Sequence, residues 1–235
     1  MSIINIENIQ KSFGQHQVLK DVTFAITQPG IYALVGPNGS GKSTLMNIMM
    51  NLIKSDSGKV ELLGESNKNV QIFNRVSFLK DNTVLYPYLT GFDHLNYAAK
   101  AYGVNAAQVN QIVDKMGIQS YVHKRTGKYS LGMKQHLLIA LCILNNPDVL
   151  IMDEPLNGLD PTSILSVRDL IKALGNDGKT ILISSHILSE IDAVTRDVLF
   201  LKDGEVYVEK LSDSHAEDRY SEIYRDSLIL NSGGE

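Results

Sequence analysis

Nine consecutive residues, Gly36-Pro37-Asn38-Gly39-Ser40-Gly41-Lys42-Ser43-Thr44, constrain the fold of this chain more than any other stretch. They match G-x-x-x-x-G-K-[ST], a loop that cradles phosphate. The glycines permit backbone angles closed to other residues and let the main chain approach a ligand closely. Consecutive N–H groups then form an anion-binding nest at the start of a helix, where the helix dipole also favours negative charge. Lys42 adds a mobile positive charge for the outer phosphates, and the Ser43 hydroxyl a ligand for Mg²⁺. Such a loop needs a strand before it and a helix after it. Ile31-Tyr32-Ala33-Leu34-Val35 suits a buried parallel strand, and Thr44-Leu45-Met46-Asn47-Ile48-Met49-Met50 suits an apolar helix. A glycine-rich turn with a chance lysine does not account for those flanks.

The chain has 235 residues, suited to one large domain with smaller lobes, and its 43% hydrophobic content supports a sizeable core. A net charge of -4 argues against general nucleic-acid affinity. The single cysteine, Cys142, lies in the apolar run Leu137–Leu144 and is expected to fill core space. The N-terminus lacks the basic and apolar regions of a signal peptide, and no stretch approaches the length of a membrane span. Any work at a membrane is therefore expected to go through another protein.

Ile3–Ile9 and Val22–Ile26 alternate as strands, with a turn over Phe13–His16, and Lys59–Gly64 reads as a further strand. The middle is helical. Helices are expected over Asp93–Tyr102, Ala106–Met116 with Asn105 as cap, and Ser130–Leu144, with Gly103 and Gly117 as stops. The last third alternates strand and helix: Asp148–Met152, Pro161–Leu174 ending at Gly175, Thr180–Ser184, Leu188–Val194 and Val198–Lys202. That alternation argues a parallel sheet wrapped by helices. From Ser212 the chain is polar and acidic, with at most an amphipathic turn around Tyr220–Leu230 and a disordered end.

Val149-Leu150-Ile151-Met152-Asp153-Glu154-Pro155 is an apolar strand that ends in two carboxylates. Beside a P-loop, Asp153 suits Mg²⁺ held through water. Glu154, one residue on, can orient or deprotonate the attacking water. For the pair alone, the other reading is an acidic turn in solvent.

Four further elements, in order, resemble the nucleotide-binding subunit of an ABC transporter. Ser130-Leu131-Gly132-Met133-Lys134-Gln135 looks like that family's signature loop, and Asn157-Gly158-Leu159-Asp160 like its D-loop. His186 matches its switch histidine, and Phe13 stands where an aromatic stacks on adenine. The resemblance runs from about Ile3 to about Glu205. It implies an α/β fold with a P-loop NTPase core of parallel strands and flanking helices. An N-terminal antiparallel β lobe (about 1–30 and 59–65) and a helical signature lobe (about 84–146) would complete one ATPase domain over 1–211, followed by a polar tail over 212–235.

The resemblance also implies ATP and Mg²⁺. Two subunits, copies of this chain or of this chain and a relative, would face each other. Gly36 to Thr44 of one would then hold a nucleotide closed over by Ser130, Gly132 and Met133 of the other. His186 would contact the γ-phosphate or position Glu154, and Asp160 would couple the two sites. The partners implied are a second ATP-binding subunit and a separate transmembrane permease, with no nucleic acid. The chain would sit in the cytoplasm against the inner face of the membrane.

Three departures stand out. The usual middle glycine of the signature is Leu131, whose side chain must point away from phosphate. The Ser-Leu-Gly-Met form resembles bacitracin-resistance and lantibiotic self-protection exporters, as does Tyr86-Pro87-Tyr88-Leu89-Thr90-Gly91. Asp81 aligns with the family's metal-reaching glutamine; it either binds Mg²⁺ through water or serves as a loop residue. His136 replaces a common arginine, which removes a permanent charge. Tyr86, Tyr88, Leu89, Phe92 and Leu95 fit either a permease interface or the helical lobe's own core.

The reading is therefore an ATP-hydrolysing subunit that drives export through a separate permease of a substrate the sequence does not reveal, with peptide, antibiotic and drug as candidates. The alternative is a non-transport ABC ATPase acting on a soluble complex. Ribosome-acting members generally carry two cassettes, and chromosome- or repair-type members insert long coiled coils that the Thr44–Ser130 gap has no room for. An unrelated P-loop kinase would leave Ser130–Gln135 and His186 unexplained.

Overall fold

A computed structural model describes residues 2–212 and 215–231, with side chains through 225. The chain divides into two compact units, residues 1–68 with 184–235 and residues 69–183.

In the first unit, apolar-polar alternation builds an antiparallel sheet. β1 (Ile4–Phe13) pairs with β2 (His16–Ile26) on one side and β4 (Ser57–Leu62) on the other. β4 turns back into β5 (Glu65–Ser66). Ile4, Ile6, Ile9, Leu19, Val22 and Leu62 are fully buried between them. β1 and β2 run longer than the alternation suggested, so the predicted turn shrinks to Gly14-Gln15, with Phe13 facing His16 across the ladder.

A second set of strands in this unit carries the phosphate loop. β3 (Gly30–Val35) lies parallel to β9 (Asp197–Lys202), and the loop after β3 opens α1 (Lys42–Met49). β9 pairs antiparallel with β10 (Glu205–Lys210) through the turn Asp203-Gly204, whose φ values of +53° and +80° make a tight hairpin. β10 was not anticipated, although Asp-Gly followed by Val-Tyr-Val is its signal.

The polar tail is more ordered than expected. α7 (Ala216–Asn231) packs on the unit through Tyr224, whose hydroxyl donates to Leu201 O at 2.7 Å. Arg219 grips Glu209 with two bonds of 2.6 and 2.7 Å. Of the end expected to be disordered, 231–235, Asn231 is the last residue of α7 and 232–235 lie outside the described residues.

In the second unit, β6 (Val76–Leu79), β7 (Val149–Met152) and β8 (Thr180–Ser185, its last two residues in the first unit) are consecutive parallel neighbours. Every residue of β7 is buried, as its unbroken apolar run requires. Between β6 and β7 the chain forms α2 (Gly91–Tyr102), α3 (Ala106–Lys115) and α4 (Leu131–Ile143). α2 and α3 start at full capping boxes, Thr90 with Asp93 and Asn105 with Gln108. α5 (Pro161–Asn176) connects β7 to β8. It runs through the expected stop Gly175, and the left-handed glycine that follows it is Gly178 at φ +80°. α6 (Leu188–Asp192) is a short turn in the first unit. The α/β fold with parallel and antiparallel sheets is as the sequence implied.

Candidate functional site

The sequence-derived site residues fall in both units. Phe13, Gly36 to Thr44 and His186 belong to the first; Asp81, Ser130, Gly132, Met133, Asp153, Glu154 and Asp160 belong to the second.

The three glycines of the phosphate loop serve two different needs. Gly39 and Gly41 take φ of +80° and +107°, where a side chain is strained. Gly36 has an ordinary backbone but no space: a Cβ there would lie 2.6 Å from Ser40 Oγ and 2.7 Å from Leu201 O. Gly41 is also crowded, with Val18 Cγ1 at 2.9 Å from such a Cβ. The Lys42 ammonium folds back over the loop and donates to Gly36 O at 2.7 Å and Pro37 O at 3.1 Å.

A phosphate chain fits this frame on two observations. Ser40 Oγ is buried with no protein partner, a donor that a phosphate oxygen would satisfy. A cavity of about 340 Å³ also opens on Pro37, Asn38, Gly39 and Ser40, with Gln17 and Val18 on its far wall, which is the size of a small-ligand pocket. Tyr224 closes one side of it, which the sequence reading of the tail missed. Ser43 is exposed at the first turn of α1. Phe13 is half exposed at the end of β1, and Lys11 Nζ stands 5.3 Å from its ring centroid. His186 is exposed just after β8, where Ser185 Oγ accepts from Ile187 N at 3.0 Å and fixes the bend.

In the second unit, β7 ends at Met152, and Asp153 N still donates to Leu79 O at 2.9 Å. The next residue leaves strand geometry abruptly: Glu154 sits at φ +50°. A glutamate in the left-handed region costs of order 1–3 kcal/mol and persists only where its surroundings hold it there. Asp160 closes the loop as N-cap of α5, accepting from Thr162 N and Ser163 N at 3.0 Å and from Ser163 Oγ at 2.8 Å. These bonds, Ser163's first, hold its carboxyl below the usual aspartate range.

Ser130 caps α4, its hydroxyl accepting from Met133 N at 3.2 Å, and the helix start from Ser130 to Leu131 is exposed. Leu131 turns toward the acidic loop: its Cδ2 lies 2.3 Å from where a Cβ on Gly158 would be. Gly158 thus leaves a notch that the leucine fills. His136, a turn and a half along α4, is half-buried, and burial lowers its pKa while Asp160 opposes. It lies 3.4 Å from the Tyr121 hydroxyl.

Asp81 acts locally. Its carboxylate accepts from Thr83 N at 2.9 Å and from the Thr83 hydroxyl, capping a 3₁₀ turn over Asn82–Val84. The Thr83 bonds hold its pKa down. The aromatic stretch divides: Tyr86 and Tyr88 are exposed, whereas Leu95 is fully buried. His94 links the two, accepting from Tyr86 N at 2.9 Å through Nε2 while Nδ1 donates to Thr90 O at 2.7 Å. Among the described residues no helix is long and apolar enough to cross a membrane.

A family profile described as ABC transporter matches residues 19–157. The chain is 33% identical over 228 residues to the lantibiotic transport ATP-binding protein SrtF of Streptococcus pyogenes, covering 97% of this chain and 98% of that one. It is 35% identical to the bacitracin transport ATP-binding protein BcrA of Enterococcus faecalis, over 94% of this chain and 74% of that one. A solved structure of the ATP-binding subunit of an ABC transporter superposes with a TM-score of 0.86 at 26% identity, over 94% of this chain and 99% of the other. With the profile covering more than half its length and these relatives nearly all of it, the chain belongs to the ABC transporter ATP-binding family and is an ATPase subunit that powers transport.

Proposed function

We propose that this chain hydrolyses ATP at sites shared by two ATP-binding subunits and so drives export of a peptide antimicrobial through a separate permease. The named cargoes of the lantibiotic and bacitracin relatives support that class. The Ser-Leu-Gly-Met signature supports it too. The chain then works in the cytoplasm, docked on the permease at the inner face of the membrane.

Gly36 to Thr44 cradle the phosphates through main-chain N–H groups, and Lys42 leaves its loop carbonyls for the outer phosphate oxygens. Phe13 packs against adenine. Ser43 and Asp153 would hold Mg²⁺, with Asp81 keeping to its turn. When bound, that ion neutralises charge on the outer phosphates. Ser130, Gly132 and Met133 of the second subunit close over the γ-phosphate with the N-terminal N–H groups of α4. Glu154 takes a proton from water as the water oxygen bonds to the γ-phosphorus and the bond to the bridging oxygen breaks, releasing ADP. His186 steadies the γ-phosphate, and Asp160 faces the other subunit. Phosphate departure removes the contact that favours closure, and the pair opens.

The observation that carries this reading is Glu154, a carboxylate held in strained backbone at the end of a buried strand. The test is Glu154→Gln in the full chain. Turnover is expected to collapse while ATP binding persists and, with ATP, a dimer accumulates in size-exclusion chromatography. Undiminished turnover overturns the base assignment, and a persistent monomer the shared site. Affinity capture should recover a polytopic membrane protein; ribosomes instead would overturn the transport role.

A further inference from the structure

We infer that Gln135 is a positioning residue for Glu154, with Leu131 as its companion one turn earlier on α4. The inference rests on Glu154 as the base. Gln135 is 7% exposed, which is unusual for a glutamine, and its amide is aimed at the acidic loop. Nε2 donates to Pro155 O at 2.8 Å and reaches Glu154 O at 3.4 Å. Four residues back on the same face, Leu131 fills the notch above Gly158. α4 therefore grips the loop at both ends of its sharp bend.

Two backbone bonds within the loop accompany that grip. Asn157 N donates to Glu154 O at 3.1 Å and Leu159 N to Leu156 O at a long 3.4 Å. A glutamate at φ +50° tends to relax toward ordinary backbone, and such relaxation swings its side chain through a large arc. The Gln135 amide opposes this by holding the consecutive carbonyls of Glu154 and Pro155. Within one subunit, the helix that offers Ser130 to a partner's nucleotide is then the same body that aims the subunit's own base.

The experiment measures kcat, KM, nucleotide affinity and thermal midpoint for the full chain and for Gln135→Leu, Gln135→Glu, Glu154→Gln and the double variant Gln135→Leu with Glu154→Gln. Gln135→Leu is expected to lower kcat about tenfold or more, with KM and affinity for a fluorescent ATP analogue changed less than about twofold. Gln135→Glu keeps the size but cannot donate, so it should lose as much, and it carries the test if the leucine variant fails to fold. In the Glu154→Gln background, single-turnover rates should fall by less than about twofold on adding Gln135→Leu, because the group being aimed is gone. A wild-type kcat in both Gln135 variants overturns the inference. A raised KM at unchanged kcat overturns it, as does an undiminished tenfold loss in the Glu154→Gln background. Undiminished turnover of Glu154→Gln alone overturns the base assignment instead, whatever Gln135 does.

Discussion

Residues 36–44 and residues 153–160 both need backbone that most side chains avoid, and they reach it differently. The phosphate loop uses glycine at Gly39 and Gly41, and holds itself with Lys42 on its own carbonyls. The acidic loop puts a glutamate at φ +50° and relies on α4, a distant segment, through Gln135. The first is specified locally and the second by tertiary contact. The first takes its shape from its own residues within the strand and helix that flank it; on the inference above, the second is only as well aimed as the helix beside it.

The sharpest way to break the comparison is to remove one functional group from each. Glu154→Gln should reduce turnover by roughly 10²–10⁴-fold with ATP affinity retained, whereas Lys42→Ala should abolish detectable ATP binding at concentrations that saturate the parent chain. Calorimetric titration separates the two; similar binding losses in both would mean that the loops are not distinct in role. Next in size is a reversal of sign in stability. Gly41→Ala meets Val18 and a forbidden φ and should cost about 1–3 kcal/mol in denaturant unfolding. Glu154→Asn should leave stability equal or raise it by up to about 1 kcal/mol while eliminating turnover, since asparagine tolerates left-handed backbone. Asp81→Ala removes a cap and should lower stability by about 1 kcal/mol without the kcat loss expected of a metal ligand.

The smallest effect is a pH dependence. His136 has a folded pKa lowered by burial, so the unfolded chain binds its proton more readily. Stability from this residue is complete above the unfolded value of about 6.5 and is lost as pH falls below it. His136→Gln should flatten that limb of the stability profile between pH 7 and pH 5.

The contrast also explains what was legible beforehand. The phosphate loop, the helix starts near Ser130 and Pro161 and the strand before Asp153 are local patterns, and each lies where its spacing put it. Gln135 carries no local sign, because a glutamine on a helix is ordinary until a carbonyl is placed against it. Tyr224 escaped for the same reason: the segment around it is mostly polar, and the partner of its hydroxyl is the distant Leu201 carbonyl. Leu131 made sense only once Gly158 was beside it, a pairing of residues 27 positions apart. For Asp81, read as metal ligand or loop residue, the structure adds a turn in which Thr83 bonds one carboxylate oxygen.

The two uses of glycine in the phosphate loop differ in chirality. Gly39 takes φ +80° with open space around it, so what it excludes is an L configuration. A D-alanine placed there by chemical ligation would suit that backbone at least as well as glycine does. Gly36 excludes volume on the L side, because the Leu201 carbonyl already stands there. One consensus motif thus contains a handedness requirement and a space requirement, and mirror-image substitution separates what an alanine scan would merge.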